Sequence, residues 1–167
     1  MAQPKSKSRG VLGRVGVATR TLIAVVGVLG CFTCGGGDAG LSGSQCSLVD
    51  CKYDELICDL YASPNDFLKI YYKRNIEGGS EYTAILTIDL TGIDQVAGLE
   101  LQNQEFVERV DIFSVGMFDK WPGHHDGSLE IRSEVQVGQK LDGKASFSFD
   151  NGRFLTAQFS CTLTEPN

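Results

Sequence analysis

The chain has 167 residues and a formal net charge of −6 at pH 7. This length suits one domain of ordinary size and leaves too little for two. Residues 1–30 contain five basic residues and no acidic one, so the chain from Cys31 onward holds 10 basic and 21 acidic residues, a net charge of −11. Such an acidic surface repels phosphate backbones, which excludes nucleic acid as a predicted partner.

The first predicted element is a secretory signal peptide at residues 1–30. The ten residues of TLIAVVGVLG, from Thr21 to Gly30, form an apolar run that follows a basic stretch and ends directly before Cys31. Basic stretch, short apolar run and cleavage region are the parts of a secretory signal. A transmembrane helix needs about 20 apolar residues, and extension of this run towards the N-terminus meets Arg20. The run is therefore too short to span a bilayer.

The end of this signal, Val28-Leu29-Gly30-Cys31, resembles the lipobox of bacterial lipoproteins, in which an aliphatic residue and two further residues precede a cysteine. The resemblance covers residues 1–31 and implies diacylglycerol on the Cys31 thiol, cleavage before Cys31 and acylation of the new amine. Two or three acyl chains anchor a protein stably, so the implied partner is the lipid bilayer and the implied location is the bacterial cell envelope. Phe32, where an Asp would favour inner-membrane retention in enteric bacteria, favours the outer membrane.

The segment after Cys31 is predicted to be a tether. Residues 32–45 read FTCGGGDAGLSGSQ, half of them Gly or Ser, and such a stretch buries too little apolar surface to offset its ordering entropy. Residues 31–45 are therefore interpreted as the lipidated cysteine and a flexible tether. The same segment also allows an alternative to processing at Cys31, because Gly37-Asp38-Ala39 has small residues at the spacing of a signal-peptidase site. Cleavage after Ala39 would release a soluble secreted protein.

Four cysteines are predicted to form the disulfide framework of a single β-domain at residues 46–167. Export places them where disulfides form and persist, and Cys34 lies in the predicted tether, which leaves Cys46, Cys51, Cys58 and Cys161. Four cysteines allow three pairings, and in each of them Cys161 joins one of the other three. Because their spacing differs from that of structural zinc sites, no metal site is predicted, and no cofactor.

The domain is predicted to be all-β, an antiparallel β-sandwich or small barrel of six to eight strands. Its segments are short, alternate between apolar and polar residues and are separated by turn residues. Two pieces between Leu99 and Phe118 are less regular, because their apolar spacing also suits a helix, and Cys51–Tyr61 is predicted to be a short helix or a disulfide-bound coil. The clearest predicted strands are Glu81–Leu90 and Ser128–Val137, and Phe67–Arg74 is a further candidate strand.

The apolar pattern of the closing hairpin predicts how its two strands pair. A two-residue loop would place Phe147 opposite a polar residue and mix the two faces of the hairpin. A three-residue loop, Asp150–Gly152 with its last residue in the left-handed conformation, instead pairs Phe149 with Arg153 and Phe147 with Leu155. The apolar faces of the two strands then agree, so the three-residue loop is predicted.

The segment before Ser128 holds the chain's one Trp and both its histidines. One interpretation is a metal or ligand loop, because imidazole and carboxylate groups are ordinary ligands and an indole offers a stacking face. The interpretation that the sequence favours is a turn with a partly buried Trp, since adjacent residues seldom point at one ion. The candidate ligand-binding residues are Trp121, His124, His125 and Asp126.

Two further groups of residues have a functional and a structural interpretation. The carboxylates of Asp89, Asp94 and the Asp150-Asn151 pair could bind calcium, but no calcium-loop spacing is present and Asp and Asn are preferred in turns. Tyr71, Tyr72 and Tyr82 could form an exposed platform for a glycan or a peptide. In a β-domain, cross-strand packing is the commoner use of such tyrosines.

No residue is predicted to be catalytic. The chain lacks the Gly-x-Ser-x-Gly, His-Glu-x-x-His and phosphate-loop motifs. The leading hypothesis is therefore a non-enzymatic binding or structural module, anchored to the membrane, whose partner is an envelope protein or glycan. The alternatives are a tethered envelope hydrolase or metal-dependent enzyme that uses His124 or His125, and a receptor for a small ligand or glycan.

Overall fold

The structure is a computed structural model that describes residues 39–62, 66–115 and 121–166. These ranges hold nine strands, one α-helix and one 3-10 helix, which confirms the predicted all-β class. The elements in chain order are β1 (Gly40–Ser42), the 3-10 helix (Ser44–Ser47), β2 (Glu55–Tyr61), β3 (Phe67–Ile76), β4 (Gly79–Asp89), β5 (Glu100–Gln102), α1 (Asn103–Arg109), β6 (Val110–Val115), β7 (His124–Ile131), β8 (Lys140–Phe149) and β9 (Phe154–Thr164).

The nine strands form one curled sheet, a half-barrel, with more strands than the six to eight predicted. The strand order is β5-β7-β8-β9-β2-β3-β4-β6, and β1 adds a short pairing to β9. All strand pairs are antiparallel except β2 with β9, which lie parallel where Cys58 pairs with Leu163. The sheet is therefore mixed, and the last strand, β9, lies beside the first long strand, β2.

The closing hairpin has the predicted register. Phe147 pairs with Leu155, and the backbone N–H of Phe149 donates to the carbonyl oxygen of Arg153 at 2.8 Å. Gly152 has a φ of +75°, which is the left-handed conformation that ends a three-residue loop of this kind. Alternate residues of both strands are buried on the concave side of the half-barrel, where they form the core with the inner residues of β2, β3 and β4.

The predicted strand Ser128–Val137 is wrong in its extent, because β7 runs from His124 to Ile131. The last backbone hydrogen bond to β8 near this end runs from the N–H of Arg132 to the carbonyl oxygen of Asp142 at 2.9 Å, directly after the strand ends. The side chain of Val137 is exposed. Apolar alternation thus continues beyond the residues that pair with β8, and sequence pattern alone does not mark where pairing stops.

The prediction of a short helix or coil at Cys51–Tyr61 is also wrong, because most of it is strand β2. This strand pairs with β3 over its whole length, from Glu55 opposite Lys73 to Tyr61 opposite Phe67. Of the three disulfide pairings left open by the sequence, the structure has Cys46 with Cys51 and Cys58 with Cys161. The second bridge joins β2 to β9, beside the parallel pairing of these strands.

The predicted boundary between tether and domain lies too far along the chain. Gly40–Ser42 forms β1 and pairs with β9, where Leu41 lies opposite Ala157. Gly43 permits this approach, because it has a φ of +131° and a Cβ added to it would lie 2.4 Å from the carbonyl oxygen of Phe154. Gln45 is buried and its amide oxygen accepts a hydrogen bond from the Asn151 amide at 3.1 Å. Cys34 and the predicted signal peptide lie outside the described residues.

The irregular region between Leu99 and Phe118 contains β5, α1 and β6, so both the strand and the helix interpretation of its apolar spacing apply in part. Helix α1 packs on β7 through Phe106, whose side chain is fully buried. The ring meets Gly127 so closely that a Cβ added there would lie 2.2 Å from Phe106 Cε1. No helix within the described ranges is long and apolar enough to cross a bilayer.

Candidate functional site

A row of apolar side chains crosses the convex side of the half-barrel, turned away from the core. The strand register places Ile57 of β2 opposite Tyr71 of β3, Tyr71 opposite Ile85 of β4, and Ile85 opposite Phe113 of β6. Side chains on paired residues of neighbouring strands share one face of a sheet. The four residues therefore form one continuous row across four strands. We call the surface formed by this row, with Tyr61, Tyr82 and Val115, the outer aromatic face.

The tyrosines of this face hold one another in place. The hydroxyl oxygens of Tyr61 and Tyr71 lie 2.9 Å apart in a hydrogen bond, and the rings of Tyr71 and Tyr82 have centroids 5.3 Å apart at a tilt of 48°. The Lys69 ammonium lies 4.7 Å from the centroid of the Tyr61 ring, a cation–π contact. Loss of solvent on burial raises the pKa of the Tyr71 hydroxyl well above its usual range, and the hydrogen bond to Tyr61 raises it further by a smaller amount.

One end of the outer aromatic face is exposed. Ile85 in the middle of the row is only 3% exposed, whereas Phe113 is 41% and Val115 50% exposed. The register that pairs Tyr82 with Val115 brings this second exposed apolar side chain next to the aromatic row. A contiguous exposed apolar surface with a polar border is typical of an interaction site.

A polar row lies two residues along each strand from the apolar row, and on β2 it lies between Ile57 and Tyr61. In it Asp59 lies opposite Lys69, Lys69 opposite Thr87, and Thr87 opposite Asp111. The Asp59 carboxylate accepts a hydrogen bond of 2.6 Å from the Thr164 hydroxyl. Charged and hydroxyl-bearing side chains therefore line one side of the aromatic row along its whole length.

The structure separates the three tyrosines that the sequence singles out. Tyr71 and Tyr82 belong to the outer aromatic face, whereas Tyr72 is fully buried on the concave side. The Tyr72 hydroxyl donates to the carbonyl of Gln158 at 2.7 Å, and its ring meets Tyr53 edge-on at 5.1 Å. The remaining residues of the face are not among the candidate residues that the sequence indicates. The alternation of Ile57 and Tyr61 was the available signal, and it was lost because their strand was predicted to be helix or coil.

The candidate ligand residues around the histidines do not converge on one site. The Trp121 indole N–H donates to the carbonyl of Thr83 at 3.1 Å, and its ring packs on Phe149 at 5.7 Å. His125 Nδ1 lies 3.2 Å from Asp150 Oδ1 at the surface. Asp126 accepts a hydrogen bond from the N–H of the next residue at 2.7 Å. Within the described ranges, no group of three or more His, Cys, Asp and Glu side chains is arranged to hold a metal ion.

His124 and His125 belong to strand β7 and not to a turn, with a register shift between His124 and Asp126. Strand alternation turns the two imidazoles in different directions. The His124 ring packs edge-on against Phe106 at 5.6 Å and Phe147 at 5.4 Å, and its Nε2 atom is buried without a hydrogen-bond partner. His124 thus lies at the margin of the core, whereas His125 is a surface residue.

This difference gives a prediction for the two histidines. We expect His125→Ala to change the free energy of unfolding by less than about 0.5 kcal/mol, because the side chain is exposed. His124→Ala removes two aromatic contacts and is expected to cost about 1–2 kcal/mol. Urea denaturation of the two single variants measures both values. Equal effects of the two substitutions would contradict the assigned positions.

Two of the residues that could bind calcium, Asp89 and Asn151, form hydrogen bonds within their own turns. The Asp89 carboxylate accepts from the N–H of Thr91 at 2.8 Å, and hydrogen bonds to Thr91 lower the pKa of that carboxyl. Asn151 accepts from the N–H of Arg153 at 3.1 Å. Asp94 is an exposed bend residue. Asp89 and Asn151 therefore have the local side chain–backbone bonds for which Asp and Asn are preferred in turns.

A polar cleft of about 460 Å³ lies elsewhere, against the strands β8 and β9. Its two cations are paired with carboxylates: Arg132 with Glu130 at 2.8 Å, and Lys140 with Asp142 at 3.1 Å. Both cations of the cleft are thus already paired, whereas the outer aromatic face presents exposed apolar surface and is the stronger candidate for binding.

Compared with known proteins, the chain matches no family model, no curated protein and no solved structure.

Proposed function

We propose that this protein is a membrane-anchored lipoprotein of the bacterial cell envelope, and that its β-domain is a non-enzymatic binding module. In this proposal the outer aromatic face binds another component of the envelope. The observation that carries the proposal is the in-register apolar row that ends in the exposed side chain of Phe113. Apolar surface of this kind costs free energy in water, and binding would cover it.

The proposed location at the membrane is supported by the sequence of residues 1–31, which precede the described residues. If Cys31 is acylated, nine residue steps separate it from Gly40, where β1 begins. A fully extended chain covers roughly 3.3–3.6 Å per residue, so this tether spans at most about 32 Å. The domain would then work close to the bilayer surface.

The proposal is tested by crosslinking in intact cells. A photoreactive phenylalanine analogue replaces Phe113 in one variant and Phe154 in a matched control, since both side chains are exposed, 41% and 56% respectively. Phe154 begins strand β9 and lies outside the outer aromatic face. We expect a crosslinked adduct from position 113 and none from position 154. Equal yields at both positions, or no adduct at position 113, would contradict the proposed binding surface.

A further inference from the structure

We infer that the partner of the outer aromatic face is an extended, basic segment of another polypeptide, which adds to the sheet as an antiparallel strand beside β6. This inference rests on the proposed function and adds the chemical class of the partner and its mode of binding. It is carried by three observations on β6: its position at the edge of the sheet, the exposure of its outward side chains, and an unpaired carboxylate.

Strand β6 is an edge strand. It lies at one end of the strand order, so within the described ranges only β4 pairs with it. The N–H of Val110 bonds to the carbonyl oxygen of Phe106 at the end of α1, so pairing with a new strand would begin at Asp111. Edge strands are commonly protected by Lys, Pro or a bulge. The sequence of β6, VDIFSV, has neither residue, and the register shift of the β4–β6 pair adds its extra residue to β4.

The side chains that an added strand would meet are exposed. Asp111, Phe113 and Val115 alternate along β6 on the convex side and are all exposed. Paired residues of neighbouring strands share one face of a sheet, so residues of the added strand would lie directly opposite these three. Apolar side chains opposite Phe113 and Val115 would cover the exposed end of the outer aromatic face. This contact does not involve Ile85, which the protein itself already covers.

The charges beside this end of the face favour a basic partner. Strands β4 and β6 carry three acidic residues and no Lys, Arg or His. Asp111 takes part in no ion pair within the described ranges. On the neighbouring strand β3, Lys73 is paired with Glu55 at 2.8 Å and Lys69 lies over the ring of Tyr61. A Lys or Arg opposite Asp111 would therefore meet a carboxylate that has no other cation.

The same features disfavour other occupants. The net charge of −11 from Cys31 onward repels a second copy of this chain and attracts a basic segment. An edge strand offers backbone donors and acceptors at the spacing of another extended polypeptide, and a glycan or a lipid headgroup has no matching backbone. In antiparallel pairing, the side chains of the partner that face Val115, Phe113 and Asp111 follow one another as apolar-x-apolar-x-basic.

The binding experiment uses the full-length protein in detergent micelles and three peptides with blocked termini. The first, Thr-Val-Thr-Val-Thr-Lys-Thr, has the predicted pattern, and the second has Glu in place of Lys. The third has the side chains of the first on a fully N-methylated backbone, which cannot donate hydrogen bonds to a strand. Isothermal titration is expected to detect the Lys peptide, to find weaker binding of the Glu peptide, and to find no binding of the N-methylated one. The bound Lys peptide is expected to slow hydrogen exchange of the amides of Asp111–Val115.

Two substitutions with matched controls test the side-chain contacts. Asp111→Asn is expected to weaken binding of the Lys peptide about two- to fivefold, the range of an exposed ion pair, whereas Asp94→Asn, at an exposed acid outside the face, leaves it unchanged. Phe113→Ala is expected to weaken binding about two- to fivefold, the range of a cross-strand pair, and Phe154→Ala leaves it unchanged. Because Asp111 and Phe113 are exposed, their replacement leaves the core intact.

Four outcomes would overturn the inference: no binding of the Lys peptide, equal binding of the N-methylated peptide, equal loss in the Asp111 and Asp94 variants, or a dimer in sedimentation that Phe113→Ala abolishes. The adduct crosslinked at position 113 in cells separates the inference from the proposed function. An adduct whose mapped site lies in a basic segment of another polypeptide, together with binding of the Lys peptide, supports both. An adduct without peptide binding overturns the strand addition but leaves the binding surface in place. No adduct at position 113 overturns both.

Discussion

Replacement of Cys58 and Cys161 together by alanine is expected to lower the free energy of unfolding by about 4–5 kcal/mol. The bridge links residues 103 positions apart, and a cross-link that closes a loop of about 100 residues restricts the unfolded chain by about 4.7 kcal/mol. It also joins β2 and β9 at the point where the end of the chain meets the first long strand. Urea denaturation of the oxidised protein, followed by Trp121 fluorescence, measures the change.

The matched control is the Cys46→Ala/Cys51→Ala variant. This bridge spans only five positions, and the same loop-closure relation gives about 2 kcal/mol for it. The long-range variant is thus expected to be the less stable of the two by more than about 2 kcal/mol. An equal loss in both variants would mean that chain restriction is not the main contribution of the Cys58–Cys161 bridge.

Phe147→Ala is the second substitution with a large expected effect, about 3–5 kcal/mol of unfolding free energy. Phe147 is 1% exposed, and its ring contacts Phe106 of α1 at 5.0 Å and stacks on Phe149 at 6.0 Å. Truncation therefore leaves a cavity between the sheet and the helix that covers it. The substitution is also expected to loosen α1, which hydrogen exchange of the amides of Asn103–Arg109 would detect.

Phe154→Ala serves as the control for Phe147→Ala, because Phe154 is the same residue type in the same hairpin but is 56% exposed. It is expected to change the unfolding free energy by less than about 1 kcal/mol. If the two substitutions cost the same, the assignment of Phe147 to the concave core would be wrong, and with it the register of the closing hairpin.

The closing hairpin was predictable because its information is local. Phe147, Phe149 and Leu155 lie within a few residues of the turn, and only one loop length brings their apolar faces together. The chemistry of Gly152 then agrees with that loop. Local pattern and turn geometry specify the same structure here, and the prediction needs no knowledge of the rest of the domain.

Strand β2 was not predictable in the same way, because both of its faces are partly apolar. Leu56, Cys58 and Leu60 pack against the core, while Ile57 and Tyr61 belong to the outer aromatic face. A segment that is apolar on both faces loses the period of two by which a half-buried strand is identified. The feature that hid the strand is therefore the same feature that builds the candidate site.

The candidate site itself depends on contacts distant in sequence. Ile57 and Phe113 belong to one row only because β3 and β4 lie between β2 and β6 in the sheet. The sequence indicated Tyr71 and Tyr82 as a possible platform, but it could not separate them from Tyr72, which the strand turns into the core. The sequence also favours a turn for the histidines. The strand pairing that includes His124 in β7 involves Phe149, which lies 25 residues later and is not evident from the local pattern.

The proposed lipid anchor is tested most directly by the mass of the N-terminal peptide of the protein extracted from its own membranes. If Cys31 is lipidated, that peptide begins at Cys31 and carries the mass of a diacylglycerol group, with or without a further acyl chain on its amine. A Cys31→Ser variant is then expected to lack this modified peptide and to leave the membrane fraction or remain an uncleaved precursor. A wild-type peptide that begins at Gly40, or one that contains an unmodified Cys31, would contradict the lipid anchor.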